Sequence, residues 1–173
     1  AMLVEAVAEL ARGQVDARAV IVGDGEERPR LIRLAQRLGV GDRICLPGYR
    51  KDARRYLPFF DVFALTSLTE GLPISLLEAM DAGVPVVAPN VGDVGSVLEQ
   101  GNSGILYGKG NLKEFIYYLR NLWRDSGLRE KYSVRGPARV KERYTAEAMA
   151  AAYHKIYEEV CGRGNGKAGV FFN

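Results

Sequence analysis

The sequence has little of what several function classes require. Its 173 residues include two cysteines, Cys45 and Cys161, too few for a disulfide scaffold and too isolated for a thiolate metal centre. A single histidine, His154, leaves no second imidazole for a Ser-His-Asp arrangement, and no metal-binding motif is visible. No apolar run approaches the ~18 residues of a membrane span. Neither sign of charge dominates: 24 Lys and Arg against 21 Asp and Glu give a net charge of +3. That spread suits a phosphate-bearing ligand and lacks the clustering of a nucleic-acid footprint. Ala1 to Glu9 has no basic start and carries Glu5 and Glu9, so no secretory signal is expected there and a cytoplasmic setting is the expectation. What is present is ordinary for one globular domain, with 47% hydrophobic and 26% charged residues. Glycine is frequent, at 20 residues, which predicts many tight turns.

The hydrophobic pattern alternates between two periods. Met2, Leu3, Ala6, Val7 and Leu10 recur at helical spacing. Ala19-Val-Ile-Val22 is a continuous apolar run that reads as a strand buried on both faces, followed by a turn at Gly23-Asp24-Gly25. Leu31 to Leu38 predicts a helix stopped by Gly39, and Arg43 to Leu46 a strand stopped by Pro47-Gly48. A short helix is expected over 53–59, and strands over 61–66, 84–88 and 104–107. Pro73 to Ala82 reads as a helix with proline in its first turn. Leu112 to Trp123 is a strong amphipathic helix whose apolar face accounts for most of Tyr117, Tyr118 and Trp123. Residues 128–144 look helical but broken at Gly136-Pro137, and Thr145 is placed to cap a last helix. Strands separated by helices of this length predict βαβ units, hence an α/β fold with a doubly wound, Rossmann-like parallel sheet. Ligands bind such sheets beyond the carboxyl ends of the strands, which places the turns after Val22, Leu46, Thr66 and Ala88 on one functional edge. Cys45 is expected in the core. His154 lies off the Met149/Tyr153/Ile156 stripe and is expected in solvent. Arg28-Pro-Arg30 and Arg54-Arg55 read as solvated faces.

The segment Thr66 to Met80 carries the most chemistry. Glu70 and Glu78 stand eight positions apart, the first in a glycine-containing turn, the second on the helix beyond its first turn. The expected cap positions, Gly71 and Leu72, have no side-chain oxygen. The first N–H groups of that helix are therefore free, and together with the helix dipole they make an anion site suited to phosphate. A carboxylate beside it can accept hydrogen bonds from hydroxyls, and a second can accept the vicinal pair of a ribose. An ordinary surface loop with two glutamates remains the alternative reading of these residues alone.

The stretch Glu70-Gly-Leu-Pro-Ile-Ser-Leu-Leu-Glu78, continued by Ala79-Met-Asp-Ala-Gly-Val-Pro-Val-Val-Ala88, resembles the E-x7-E signature of the retaining GT-B glycosyltransferases of family 4 type. Flanking pieces resemble that family in order: Val20-Ile-Val-Gly-Asp-Gly25, Leu46-Pro-Gly48, Phe60 to Ser67, Gly101 to Leu106 and Tyr144 to Tyr157. The likeness runs over about residues 2–160 and points to the C-terminal, donor-binding half of such an enzyme. It implies a retaining transfer of a sugar from a nucleotide-sugar to a hydroxyl acceptor, with no metal and no cofactor beyond the donor itself. Glu70, the catalytic candidate, would bind hydroxyls of the donor sugar, and Glu78 would hold the ribose. Backbone groups of Gly71, Leu72, Pro73 and Ile74 would face sugar and diphosphate. Tyr49 and Arg50 would lie near the base, and Gly23 would let the chain approach the nucleotide closely.

Departures from the family pattern matter. The resemblance leads to the expectation that this chain lacks the strand that opens the family's C-terminal domain, with its Gly-Arg ending and the following Lys-Gly pair, and the N-terminal acceptor domain. Gly95-Ser96 stands where the family often has Pro-Glu. The expected organisation is therefore a nucleotide-sugar-binding α/β domain over 1–161 without its first strand, then a link and short apolar tail over 162–173. Alone, the chain is expected to be incomplete for catalysis. Expected partners are the nucleotide-sugar, an N-terminal acceptor domain and a further copy of the chain, with no nucleic acid; membrane association of a complete enzyme is left open. The alternatives are a non-catalytic nucleotide-binding or assembly module and a GT-B-type sugar epimerase. A sheet without its first strand has an internal gap; Ala168 to Asn173, the one unassigned segment with strand character, either fills it, within its own chain or in a neighbour's, or is a disordered tail, the alternative reading.

Overall fold

The computed structural model describes residues 1–163. Five strands alternate with helices: α1 (Met2–Arg12), β1 (Ala19–Val22), α2 (Arg28–Arg37), β2 (Ile44–Gly48), β3 (Phe63–Ala64), α3 (Ile74–Asp81), β4 (Val86–Pro89), α4 (Val94–Val97), β5 (Ile105–Tyr107), α5 (Leu112–Arg124), α6 (Ser126–Arg143) and α7 (Ala146–Arg163). A 3₁₀ segment, Ala53–Phe59, occupies the expected short helix. All strand pairs are parallel, as the alternation requires.

The strands do not form one ladder. Among the described residues β1 pairs only with β2, and β3-β4-β5 make a separate sheet. Between the facing edges of β1 and β3 lies a cavity of about 1260 Å³, lined by Val20 and Val22 on one side, Phe63 and Leu65 on the other, and Val4 and Val7 of α1. This is the expected internal gap. The segment proposed for it, 168–173, lies outside the described residues.

The gap and one uncovered face correct the reading of β1 and β2. Ala19 packs with Ile44, Leu34, Ala35 and the α1 residues Val4, Val7 and Ala8 in one core cluster. Val20 and Cys45 are register partners, so they share the opposite face, which is left exposed among the described residues. Val20 is 38% exposed, and Cys45 is exposed rather than core. The run is therefore buried on one face only. β2 continues through Pro47-Gly48 instead of stopping before it, and β3 shrinks to two paired residues, β4 alone supplying partners among the described residues. By contrast β4 is buried at every position, sandwiched between the cluster of α3 and α4 and the cluster of α5.

Helix α6 is continuous through Pro137, against the expected break. Its Gly136 lies against Met80: a Cβ there would meet the Met80 carbonyl oxygen at 3.1 Å. Pro137 removes the N–H that would bond the Ser133 carbonyl, and that carbonyl instead faces Gly83, at the end of α3. Packing on α3 thus holds the helix through its proline. Thr145 caps α7 as expected, its hydroxyl accepting from the Ala148 N–H at 3.1 Å. From Met149 to Cys161 every residue of α7 is exposed. His154 is exposed too, beside Glu158 at 3.3 Å. Tyr117 and Trp123 are exposed rather than on a covered face, and Trp123 borders the cavity.

Candidate functional site

The site is built on α3 and the turns at the carboxyl ends of the strands. Leu76, Ala79 and Met80 bury one face of α3 in the central core, which leaves Ser75 and Glu78 on the side that borders the cavity mouth, with Thr66 and Ser67. Arg54 holds the far end of α3 through Asp81, at 2.5 Å. The N-cap is Pro73, not Gly71 or Leu72, in an extended conformation with no side-chain cap. The Leu76 N–H bonds back to the Pro73 carbonyl at 3.1 Å, while the N–H groups of Ile74 and Ser75 take no partner among the described residues. Two backbone donors at the positive end of a helix can meet an anion without displacing any protein bond.

Glu70 precedes this end in the turn from β3. Residues 66–72 take part in no hydrogen bond among the described residues. Their upstream anchor is Leu65, whose N–H bonds Val87 and whose carbonyl accepts from the Tyr107 hydroxyl at 2.9 Å. Tyr107 is buried, and that burial pushes its phenol up to about 12. Glu70 and Glu78 are both half-buried, and Leu72 and Ile74 are exposed between them.

The neighbouring turns come together through one bond, from the Gly23 N–H to the Gly48 carbonyl at 3.0 Å. Gly23 has φ +134° and Gly48 φ +78°, conformations that favour glycine. Arg28 adds a bond to the Leu46 carbonyl at 3.0 Å, so it braces β2 rather than standing free as the solvated-face reading had it. Tyr49 follows this pair, 71% exposed, and among the described residues Arg50 bonds only the Tyr49 carbonyl. Neither borders the cavity mouth that Glu78 shares. Sequence reasoning missed Ser75 and Tyr107. Ser75 was signalled by its place three residues before Glu78, on the same helix face; Tyr107 acts across the sheet and left no local signal. Among the described residues no three His, Cys, Asp or Glu side chains cluster as a metal site would require.

The profile of the family "Glycosyl transferases group 1" matches residues 1–125. The chain belongs to the group 1 glycosyl transferases. It is 30% identical over 147 residues to N-acetyl-alpha-D-glucosaminyl L-malate synthase of Bacillus anthracis, covering 85% of this chain and 39% of that protein. It is 32% identical over 136 residues to the lipopolysaccharide core biosynthesis glycosyltransferase LpsE of Rhizobium meliloti, covering 79% and 40%. This group 1 chain thus spans about two fifths of the length of the curated relatives it matches. Its fold matches Anabaena HepE, solved in complex with UDP, with a TM-score of 0.80 at 24% identity over 93% of this chain and 44% of HepE. It also matches the C-terminal domain of a group 1 family protein, LpcC, from Francisella tularensis, with a TM-score of 0.74 at 22% identity over 84% of this chain and 78% of that one. The α/β architecture is accordingly that of the GT-B glycosyltransferases. No helix among the described residues is long and apolar enough to cross a membrane.

Proposed function

We propose that this chain binds the donor of a retaining glycosyltransferase: a nucleotide-sugar lies across the carboxyl edge, its diphosphate at the start of α3. The observation that carries the reading is the N-terminus of α3, which has no side-chain cap and two N–H groups without a partner among the described residues, between two half-buried glutamates. Glu78 takes the ribose hydroxyls, Glu70 the hydroxyls of the sugar, and the backbone of Gly71 to Ile74 the diphosphate. Tyr49 and Arg50 flank the base, and Gly23 leaves room for the nucleotide. In the transfer, the bond from the sugar C1 to the diphosphate oxygen breaks and the acceptor oxygen bonds C1 on the same face. The acceptor proton leaves with the diphosphate. Donors preset at the helix start stabilise the charge that develops on that leaving group. No protein nucleophile, metal or cofactor enters this scheme. An N-terminal acceptor domain completes the enzyme, in a cytoplasmic setting. HepE, solved with UDP and with UDP-glucose, supports a uridine nucleotide among the candidates.

The test is titration calorimetry with UDP-, GDP- and ADP-glucose. One of the three binds, in the millimolar range, the backbone N–H groups at the start of α3 being the donors offered to the diphosphate. Glu78→Ala removes a charged acceptor worth ~1.5–3 kcal/mol and reduces that binding at least tenfold. Binding that is absent for all three, or indifferent to Glu78→Ala, sinks the assignment.

A further inference from the structure

We infer that Gly92 is a positioning residue for the Glu70 turn, an inference that rests on the donor-site reading for its functional consequence. Gly92 lies in the turn between β4 and α4, with φ +50°. A Cβ built on it would stand 1.8 Å from the Glu70 carbonyl oxygen, 2.9 Å from its carbonyl carbon and 3.5 Å from the Gly71 carbonyl oxygen. Among the described glycines no other makes so close an approach.

The two sides of this contact differ in firmness. The Gly92 side is fixed. The Asn90 N–H bonds the Tyr107 carbonyl at 2.8 Å, the Val94 N–H bonds the Val91 carbonyl at 3.1 Å, and Val94 and Val97 are fully buried against α3. The Glu70 side has no such ties, since residues 66–72 take part in no hydrogen bond among the described residues. A side chain at position 92 therefore moves the glutamate turn, not the wall behind it. The required shift exceeds ~1 Å, the scale at which misplacing a reacting group costs about 10²-fold in rate. Glycine at position 92 is what lets the Glu70 carboxylate stand where a donor sugar meets it, while the α3 N-terminus and Glu78, held by the core, stay in place. Gly92 acts through Glu70 and touches no ligand itself.

The experiment compares the wild-type chain with Gly92→Ala, Glu70→Gln and Gly101→Ala. Gly101 has φ +99° and no atom within 4 Å of its Cβ position, so that variant imposes backbone strain without a push. Two readouts are taken: amide chemical shifts of Glu70, Gly71 and Leu72, and calorimetric affinities for UDP-, GDP- and ADP-glucose beside UDP, GDP and ADP. Gly92→Ala is expected to shift the three amides and to erase the preference for the sugar nucleotide over its diphosphate, as Glu70→Gln does. Its diphosphate affinity stays within about twofold, and Gly101→Ala changes neither readout. Unmoved amides in Gly92→Ala, or moved amides with the preference intact, overturn the inference. A wild-type chain that binds none of the six nucleotides overturns the donor-site reading instead, and the amide shifts then decide the role of Gly92 alone. If Gly92→Ala does not fold, a glycine inserted between Gly71 and Leu72 lengthens the turn around the new methyl. Recovery of folding supports the steric conflict, and its absence overturns it.

Discussion

At the scale of single residues, Tyr107 links the sheet to the glutamate turn through a part-buried bond from its hydroxyl to the Leu65 carbonyl. Tyr107→Phe leaves that carbonyl unsatisfied and is expected to destabilise the chain by ~1 kcal/mol in urea unfolding. The same residue gives the fold an alkaline limit. Unfolded, its phenol titrates near 10.0; folded, burial holds the proton to about 12. The stabilisation is complete below pH 10 and is lost as pH rises toward 12, because only the unfolded state releases the proton there. Urea midpoints measured from pH 8 to 11 should fall more steeply for wild type than for Tyr107→Phe; parallel curves would contradict this. Cys45 makes a second case. In a Cys161→Ser background its thiol should react with an aromatic disulfide reagent in the folded state at a rate near that of a small free thiol, since β2 leaves it exposed.

Elements show what could and could not be read from the chain. β4 and α5 were legible because each has neighbours on the sides its pattern implies: Val86 to Pro89 is buried throughout, and Phe115 and Leu122 fix the inner face of α5. β1 was legible as a strand but not in its surroundings, since the run Ala19 to Val22 records apolar character, not which faces are covered. α6 misled for a different reason: Gly136-Pro137 breaks an isolated helix, but here Met80 and Gly83 pack against those two residues. Gly136→Ala tests this. A helical alanine gains up to ~1 kcal/mol over glycine, but its methyl meets α3 backbone at 3.1 Å, and overpacking costs typically 1–3 kcal/mol. A net fall in melting temperature is expected, and a rise would show that α3 and α6 separate freely. Of the candidate site, the sequence shows the eight-residue spacing of Glu70 and Glu78. The Gly92 contact was not legible, because it joins turns more than twenty residues apart.

For the whole molecule, the slot between β1 and β3, open among the described residues, and the exposed Met149, Tyr153, Ile156 and Val160 of α7 present apolar surface that favours association. Light scattering should show an apparent mass that rises with concentration; a monomer throughout would count against it. The divided sheet also bears on how the protein comes apart. Among the described residues no backbone ladder crosses from β1-β2 to β3-β4-β5, and α1 serves both sides, giving Val4, Val7 and Ala8 to one cluster and Ala6 to another. Native proteins open in cooperative units that follow such seams. Deuterium should therefore enter the amides of β1, α2 and β2 together, well before those of β4 and β5, with α1 as the hinge whose release frees the smaller unit while the larger one stays closed.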